Sequence, residues 1–404
     1  MAPARHVIVA GAGIAGLTAA LALARAGIRV TVFEQAEKLE EAGAGLQLSP
    51  NASRVLIALG LRERLASVAV TPQAIRVMSG GSAREIVRIP LGDEAQRRYG
   101  APYWSIHRGD LQSALADAVR SEIDVSLKLG VRVEDFAAHV KGVSVVARQG
   151  TQVRNERGIA LIGADGIWSS VATRLRRQQP PTFRHRTAWR ALVSADSVPA
   201  EFRQPLVHLW LGHDAHLVHY PVKAGKLINI VGIVHDEWNE IGWSAAGDRI
   251  EILRHFSRLT WSEKARALIS IPDRWLKWAL YDRKDPFRGT RLPVTLIGDA
   301  AHPMLPFLAQ GAAMAIEDAG VLAECLGSAP DDPTAAMRSY ERQRMPRVTK
   351  AQQASRRNGD LYEMGRLKAS LRDLALGALG GKRLLQRYDW IYRFRTGGRP
   401  DTKR

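Results

Sequence analysis

Apolar and polar positions alternate in two different ways along this chain. Residues 5–34, 160–166 and 294–326 combine short apolar runs with stretches of helical periodicity, which is typical of the strands and helices of a parallel α/β sheet. Residues 182–279 instead carry several closely spaced runs in which apolar and polar side chains alternate, and this favours an antiparallel sheet. The pattern predicts an α/β protein with a mainly antiparallel sheet inserted into a parallel one.

The changes in pattern also predict where the domains begin and end. We expect a Rossmann-like dinucleotide-binding domain built from three stretches, a substrate domain built from two, and a basic helical region at the C-terminus. The dinucleotide-binding domain comprises residues 1–74, 101–181 and 281–335, the substrate domain residues 75–100 and 182–280, and the C-terminal region residues 336–404.

The first apolar run leads into a glycine-rich turn. Gly11, Gly13 and Gly16 form a GxGxxG motif with a strand before it and a helix after it, and Glu34 ends the next strand. The glycines permit a tight turn and the close approach of a pyrophosphate, while the acidic residue can accept hydrogen bonds from ribose hydroxyls. This context predicts dinucleotide binding and leaves open whether the ligand is FAD or NAD.

A second candidate site follows the apolar run at residues 294–297. Gly298 allows the backbone to turn, and Asp299 stands at the carboxyl end of the strand, where open α/β sheets bind their ligands. The next helix begins with Gly311 and Ala312, so its free N–H groups and positive end are open to an anionic ligand. The alternative is an ordinary strand–loop–helix connection in which Asp299 acts as a cap.

The arrangement of strand, glycine and acid recurs at residues 160–166, which include Asp165. Two such strand ends and a GxGxxG motif exceed what an NAD dehydrogenase needs, and they suit a flavin that is held at both ends. Arg108, just before a predicted helix, could pair with a phosphate, although a lone arginine is more often a surface ion-pair residue. The glycine-rich loop at residues 43–51 is either a connector or a loop alongside the cofactor.

One strand of the predicted antiparallel sheet carries candidate substrate contacts. Successive side chains of a strand point to opposite faces, so His216, Val218 and Tyr220 share one face and His219 lies on the other. An imidazole and a phenol on the same face predict a polar pocket. The alternative is a half-exposed sheet face without a ligand.

Composition narrows the class of protein. Among the 404 residues, Cys325 is the single cysteine, which excludes an intrachain disulfide framework and a multi-cysteine metal site and favours a reducing, cytoplasmic location. No HExxH spacing occurs, so no metal site is predicted. The GxGxxG motif explains the apolar stretch at residues 7–24 better than a signal peptide or a membrane span does.

The net charge of +18 is concentrated near the C-terminus, where residues 338–404 hold 18 basic and 6 acidic side chains. Such a tail can bind nucleic acid or an acidic membrane surface. Here the charges are spread over predicted amphipathic helices such as residues 361–376, so a solvated basic face is favoured and no specific nucleic-acid partner is predicted. Residues 389–394 are interpreted as an aromatic packing segment rather than a site.

Three motifs together give the chain a family resemblance: GAGIAGL at 11–17, GADG at 163–166 and GDAAHPMLPFLAQGA at 298–312. With the supporting segments GAGLQLSPNA, HRGDLQ, AWRAL and HYPV, the chain resembles the single-component flavoprotein aromatic hydroxylases of the salicylate hydroxylase and 3-hydroxybenzoate 6-hydroxylase type. The likeness spans nearly the whole chain. It implies a Rossmann-like FAD-binding domain, an inserted antiparallel substrate domain and a helical C-terminal region.

The resemblance also assigns the cofactor site. The residues expected to hold FAD are Gly11, Gly13, Ala15, Gly16, Glu34, Arg108, Leu129, Asp165, Asp299, Gly311 and Ala312. By resemblance, the glycine motif and Glu34 bind the ADP half, and Leu129 packs near the adenine. Asp299 would bind the ribityl chain, and the N–H groups of Gly311 and Ala312 would reach the flavin ring. Asp165 belongs to a motif linked to both FAD and the nicotinamide nucleotide.

The resemblance further implies a reaction in which NADH or NADPH reduces FAD and O2 adds to form a flavin hydroperoxide. Its distal oxygen passes to an electron-rich ring, here that of a hydroxylated aromatic or heteroaromatic acid. A phenol is a better nucleophile once deprotonated, so a base is expected beside its hydroxyl. We predict His216 as that base, with Tyr220 and Gln310 positioning the substrate. His302 has either a structural or a catalytic role.

Two other functions fit parts of the pattern. The same FAD scaffold supports halogenation or double-bond reduction, although the WxWxIP signature of flavin halogenases is absent. A basic protein that binds nucleic acid or membranes, with its dinucleotide fold as a sensor, would account for the tail. The leading hypothesis is an aromatic hydroxylase whose partners are a small aromatic acid, O2 and NAD(P)H, and a homodimer is compatible with it.

Overall fold

The computed structural model describes residues 5–39, 44–175, 179–238, 240, 242–285, 287 and 289–397. Gly43, where the predicted glycine-rich loop begins, and the last residues of the predicted basic region lie outside these ranges. The strands are β1 His6–Ala10, β2 Arg29–Glu34, β3 Gly45–Leu48, β4 Ala74–Ser79, β5 Glu85–Pro90, β6 Trp104–His107, β7 Val125–Leu129, β8 Arg132–His139, β9 Gly142–Gln149, β10 Gln152–Gly158, β11 Ala160–Gly163, β12 Thr182–Ser194, β13 Leu206–Leu211, β14 Ala215–Val222, β15 Leu227–His235, β16 Ser244–Asp248, β17 Arg274–Asp282 and β18 Val294–Leu296. The helices are α1 Ile14–Arg25, α2 Pro50–Ala58, α3 Arg62–Val68, α4 Gly92–Tyr99, α5 Arg108–Ser121, α6 Ser170–Leu175, α7 Arg249–His255, α8 Glu263–Ser270, α9 Gly311–Ser328, α10 Pro333–Tyr362, α11 Arg366–Leu379, α12 Gly381–Gln386 and α13 Asp389–Tyr392.

A parallel sheet of five strands carries the GxGxxG turn. Its order is β18-β11-β1-β2-β7, and Val7, Ile8 and Val9 of the central strand are fully buried, as strands covered on both faces must be. The helix that follows the turn, α1, packs against α5 and α9. The carboxyl ends of β1, β11 and β18 therefore meet at one edge, where the GxGxxG turn, the Asp165 loop and the Asp299 loop lie side by side.

A second sheet of eight strands has the order β16-β17-β12-β15-β14-β13-β4-β5. All its neighbours pair antiparallel except β13 and β4, which run parallel. Helices α7 and α8 cover one face, where Ile252, Phe256 and Leu268 share a core with Trp189 and Trp210. The other face turns towards the parallel sheet. These observations confirm the predicted α/β class with an inserted, mainly antiparallel sheet.

The C-terminal helices differ from the prediction at one point. Residues 361–376 were expected to form one amphipathic helix, but α10 ends at Tyr362 and α11 begins at Arg366. Gly365 is extended there, and Glu363 in the break is buried against His216. A buried hydrogen bond between distant parts of the chain therefore overrides the helical periodicity. None of the helices in the described ranges is long and apolar enough to cross a membrane.

Candidate active site

A cavity of about 420 Å³ lies between the edge of the parallel sheet and the open face of the eight-stranded sheet. One wall is almost free of side chains and comes from the starts of α1 and α9. The opposite wall is a strand face with apolar residues and a few polar groups. The predicted residues that line the cavity are Gly13, Ala15, Arg108, His216, Tyr220, Asp299, Gly311 and Ala312.

Two of the three glycines in the GxGxxG turn, Gly11 and Gly16, are packed too closely for any larger residue. Gly11 has φ +102°, and a Cβ there would lie 2.5 Å from the carbonyl oxygen of Ala164. A Cβ on Gly16 would lie 1.8 Å from the carbonyl oxygen of Gly11. The turn thereby brings the backbone of α1 directly to the edge of the cavity.

Glu34 stabilises this turn through hydrogen bonds to the backbone. Its carboxylate accepts one hydrogen bond from the N–H of Ala12 at 2.7 Å and another from the N–H of Ala36 at 2.9 Å. A carboxylate has four acceptor positions, so it retains capacity for ribose hydroxyls. Leu129 lies next to Glu34 in the register of β2 and β7. Neither side chain lines the 420 Å³ cavity, which takes in only the flavin side of the predicted cofactor path.

Asp299 presents its carboxylate to the cavity between the two sheets. This enclosure raises the pKa of the Asp299 carboxyl above its usual range, against the opposing influence of His302, Arg108 and Arg283. Burial lowers the pKa of the Arg108 guanidinium, and the negative charge of Asp299 partly offsets this decrease. Arg283 donates to the carbonyl oxygens of Ala300 at 2.9 Å and Ile167 at 2.8 Å, and so joins the two acidic loops.

The start of α9 is held from behind by Gln310. Its amide nitrogen donates to Ser49 Oγ at 2.9 Å, its amide oxygen accepts from Asn51 Nδ2 at 3.1 Å, and the side chain is 1% exposed. Gln310 is not among the residues that line the cavity, and its role in positioning the substrate stays a prediction. Gly311 and Ala312 follow at the cavity wall.

Asp165 also has a structural task that the pattern did not reveal. Its carboxylate accepts hydrogen bonds from the N–H groups of Ser170 at 2.8 Å and Val171 at 3.2 Å, at the start of α6. Ala164 and Gly166 on either side of it line the cavity, so this loop contributes backbone rather than a carboxylate.

His302 is fixed by a buried network behind the Asp299 loop. Its Nε2 lies 2.5 Å from Asp318 Oδ2, which also accepts the N–H of Gly298 at 3.0 Å. Arg344 pairs with the other oxygen of Asp318 at 2.7 Å. These contacts support the structural role for His302.

His216 projects into the cavity from β14, with a carboxylate behind it. Its Nδ1 lies 3.3 Å from Glu363 Oε1, while Glu363 Oε2 receives His235 Nε2 and Arg186 Nε, each at 2.9 Å. Burial would raise the pKa of the Glu363 carboxyl, but the two histidines and the arginine outweigh it and hold that pKa well below its usual range. Glu363 therefore stays ionised and fixes the imidazole by its Nδ1–H, which leaves Nε2 for the cavity.

Tyrosines from distant parts of the chain complete the wall. Tyr220 lies beside Gln47, whose side-chain oxygen accepts a hydrogen bond from Tyr103 at 2.7 Å. Tyr388 and Tyr392 of the C-terminal helices also line the cavity. Residues around 389–394, interpreted from the sequence as packing, thus reach the site. No local motif marks them, because their function depends on the docking of the C-terminal helices.

FAD can be tested against this site without any ligand present. A Cβ on Gly13 would meet no atom within 4 Å, and the starts of α1 and α9 offer bare backbone to the cavity. Free N–H groups and Arg108 suit phosphate oxygens, and the positive end of α9 suits the carbonyl edge of a flavin ring, where negative charge collects on reduction. Asp299 suits hydroxyl donors. The residues present therefore fit a flavin dinucleotide.

Asp299 gives a direct test of this fit. Asp299→Ala is expected to weaken FAD binding roughly 10- to 100-fold, since a hydrogen bond to a charged group is lost. Flavin retained after gel filtration, read by absorbance, measures the effect, and Asp285→Ala on an exposed neighbouring position is the control. Full flavin occupancy in Asp299→Ala would refute the role.

The fold and the site define a flavoprotein in which a substrate pocket adjoins the cofactor wall. Residues 4–355 match the FAD binding domain family, and the chain belongs to that family. It is 35% identical to 3-hydroxybenzoate 6-hydroxylase 1 of Aquipseudomonas alcaligenes, over 96% of this chain and 97% of that protein. It is 37% identical to 3-amino-4-hydroxybenzoate 2-monooxygenase PtmB3 of Streptomyces platensis, over 96% of both chains.

A solved structure agrees with these relatives. The salicylate hydroxylase substrate complex superposes with a TM-score of 0.79 at 28% identity, over 97% of this chain and 96% of that one. The chain is accordingly an FAD-dependent monooxygenase of the aromatic hydroxylase type, with NAD(P)H as the reductant. The prediction of family, fold class, cofactors and enzyme class is confirmed.

Proposed function

We propose that this protein hydroxylates a hydroxylated aromatic or heteroaromatic acid, and that His216 is the base that deprotonates the ring hydroxyl. The observation that carries the proposal is the single cavity in which Asp299 and the start of α9 face His216 and Tyr220. The names of the relatives, a hydroxybenzoate and an aminohydroxybenzoate monooxygenase, support the substrate class.

The cofactor roles are proposed in the same way. Backbone N–H groups of the GxGxxG turn and Glu34 hold the ADP half, Arg108 pairs with the pyrophosphate, and Asp299 holds the ribityl hydroxyls. Gly311 and Ala312 place the positive end of α9 at the flavin ring, which stabilises negative charge there. Leu129 keeps its predicted place near the adenine.

The redox chemistry that FAD supplies when bound is the transfer of electrons from NAD(P)H to O2, one atom of which reaches the ring. The protein positions and activates the substrate. His216 Nε2 accepts the proton of the ring hydroxyl, and Glu363 stabilises the imidazolium that forms. Tyr220 hydrogen-bonds the substrate, and the apolar strand face around these two residues excludes water.

The test is NADH oxidation by the purified, FAD-loaded protein with a panel of hydroxybenzoates and hydroxynicotinates, followed by product analysis. We expect at least one acid to accelerate oxidation and to yield a product with one added hydroxyl. Oxidation without an oxygenated product would favour the alternative of another FAD-dependent reaction, such as reduction. A panel in which no ring changes the rate would contradict the proposal. The cytoplasmic location and the homodimer remain predictions.

A further inference from the structure

Arg190 is a cation in the cavity wall to which the described residues offer no carboxylate partner. It lies on β12, lines the cavity, and its Nε is buried without a hydrogen-bond partner. Two other arginines of the described residues are paired with carboxylates: Arg344 with Glu317 and Asp318, and Arg186 with Glu363. No carboxylate of the residues that the structure describes pairs with Arg190, so its charge is available to a ligand.

The charge of Arg190 persists despite its surroundings. Burial lowers the pKa of the Arg190 guanidinium to about 10, which still leaves it protonated at neutral pH. A charge removed from water without a counter-ion is strongly unfavourable. Arg108 lies near enough to add to the positive potential rather than relieve it. An anionic ligand group would offset this cost.

The guanidinium has a defined orientation. Its central carbon lies 4.2 Å from the centroid of the Trp278 ring, a stacking distance at which the aromatic face holds a planar cation. The flat fork of an arginine held in this way matches the two oxygens of a carboxylate. The side chain is thus arranged for a planar anion.

The strand register places this cation on the same face as the proposed base. Arg190 pairs with Val231 of β15, and Val231 pairs with Val218 of β14, the residue between His216 and Tyr220 on that face. Arg190 is therefore two strands away from His216 and Tyr220, about 10 Å at the backbone. Val218 and Val231 form an apolar floor between the two polar groups, on which an aromatic ring can lie.

We propose that Arg190, stacked on Trp278, binds the carboxylate of the aromatic acid while His216 meets its hydroxyl. This inference rests on the proposed function and adds a specificity residue to it. Because the two groups stand apart on the sheet, acids whose hydroxyl is meta or para to the carboxylate fit better than ortho acids, whose two groups are adjacent. Neutral phenols lack the group that Arg190 holds.

The test compares an acid with its uncharged analogue. Binding of 3-hydroxybenzoate and of 3-hydroxybenzamide to the FAD-loaded protein is measured by calorimetry for the wild type, Arg190→Gln and Arg190→Lys. In Arg190→Gln the Kd of the acid is expected to rise roughly 10- to 100-fold, and that of the amide by less than about threefold. Arg190→Lys keeps the charge but loses the fork and the stack, so its Kd should fall between the two.

Two readouts guard against a purely structural effect. Arg274→Gln, an exposed arginine on the adjacent strand β17, is the matched control. Thermal unfolding of Arg190→Gln is expected to be no lower than that of the wild type, since an unpaired buried charge is removed. Equal losses for acid and amide would overturn the proposal, as would a wild type that does not prefer the acid.

The cofactor is the competing anionic partner for this arginine, and the same variants separate the two. Loss of FAD from Arg190→Gln, with acid binding to the remaining holoenzyme unchanged, would assign the guanidinium to the cofactor and overturn the proposal. Failure of the proposed function has a different signature: the wild type would bind 3-hydroxybenzoate through Arg190 but give no hydroxylated product with any acid.

Discussion

Replacing His216 by asparagine is expected to slow hydroxylation by roughly 10²- to 10⁴-fold, the usual contribution of a positioned general base. The amide nitrogen of asparagine occupies the place of Nδ1, so the hydrogen bond to Glu363 is kept, while Nε2 is removed. FAD should stay bound, because His216 lies on the strand face opposite the cofactor wall.

The pH dependence distinguishes a base from a packing residue. A phenol ionises by itself near pH 10, as free tyrosine does, so the deficit of His216→Asn should shrink as the pH approaches that value. Hydroxylated product per NADH consumed is the measurement. His213→Asn, on an exposed residue in the turn before β14, is the control. An unchanged rate in His216→Asn, or a deficit that is constant with pH, would show that another group removes the proton.

Arg344→Leu is expected to destabilise the protein by about 3–5 kcal/mol, because it leaves buried carboxylates without their charged partner. Arg344 is 1% exposed and pairs with Glu317 at 2.5 Å and Asp318 at 2.7 Å. Burial would raise the pKa of the Asp318 carboxyl, but His302 and Arg344 bring it down to about 2. The contribution of the ionised Asp318 to the free energy of unfolding is therefore complete above 3.8, the pKa of an aspartate in the unfolded chain. It is lost only as the pH falls towards 2.

The variant should also affect the cofactor. Asp318 accepts the N–H of Gly298, the residue before Asp299, so loss of Arg344 loosens the loop that faces the cavity. Urea unfolding and flavin retention are the two measurements, with Arg342→Leu on the exposed side of the same helix as the control. Equal unfolding midpoints for the two variants would mean that the carboxylates find other partners.

The sequence predicted correctly those parts of the site whose geometry depends only on residues that are close together along the chain. The turn at Gly11 and the alternation of His216 and Tyr220 on β14 follow from backbone geometry, which a short stretch of sequence encodes. Asp165 and Gln310 show where this ends. Their predicted roles at the ligand stay predictions, but their hydrogen bonds in the structure, to the start of α6 for Asp165 and to Ser49 and Asn51 for Gln310, are not displayed by the local pattern.

Long-range partners were beyond the reach of the sequence. Glu363 lies 147 positions from His216, in a break that interrupts a regular amphipathic pattern. In the sequence, Arg190 stood out only as part of the AWRAL segment. Its proposed role follows from the lack of a carboxylate beside it among the described residues, which only the folded structure reveals. Both depend on tertiary packing, which overrides local propensity.

The C-terminal tyrosines are the last residues of the cavity wall to be synthesised. Tyr388 and Tyr392 line a cavity whose other walls end by residue 362, so the nascent chain can complete both sheets before the last side chains of the pocket exist. At about 5–20 residues per second, the stretch from 363 to 392 takes roughly 2–6 s to synthesise. Until it docks, any flavin already captured faces open water. The pocket is thus completed by side chains that are synthesised after both sheets.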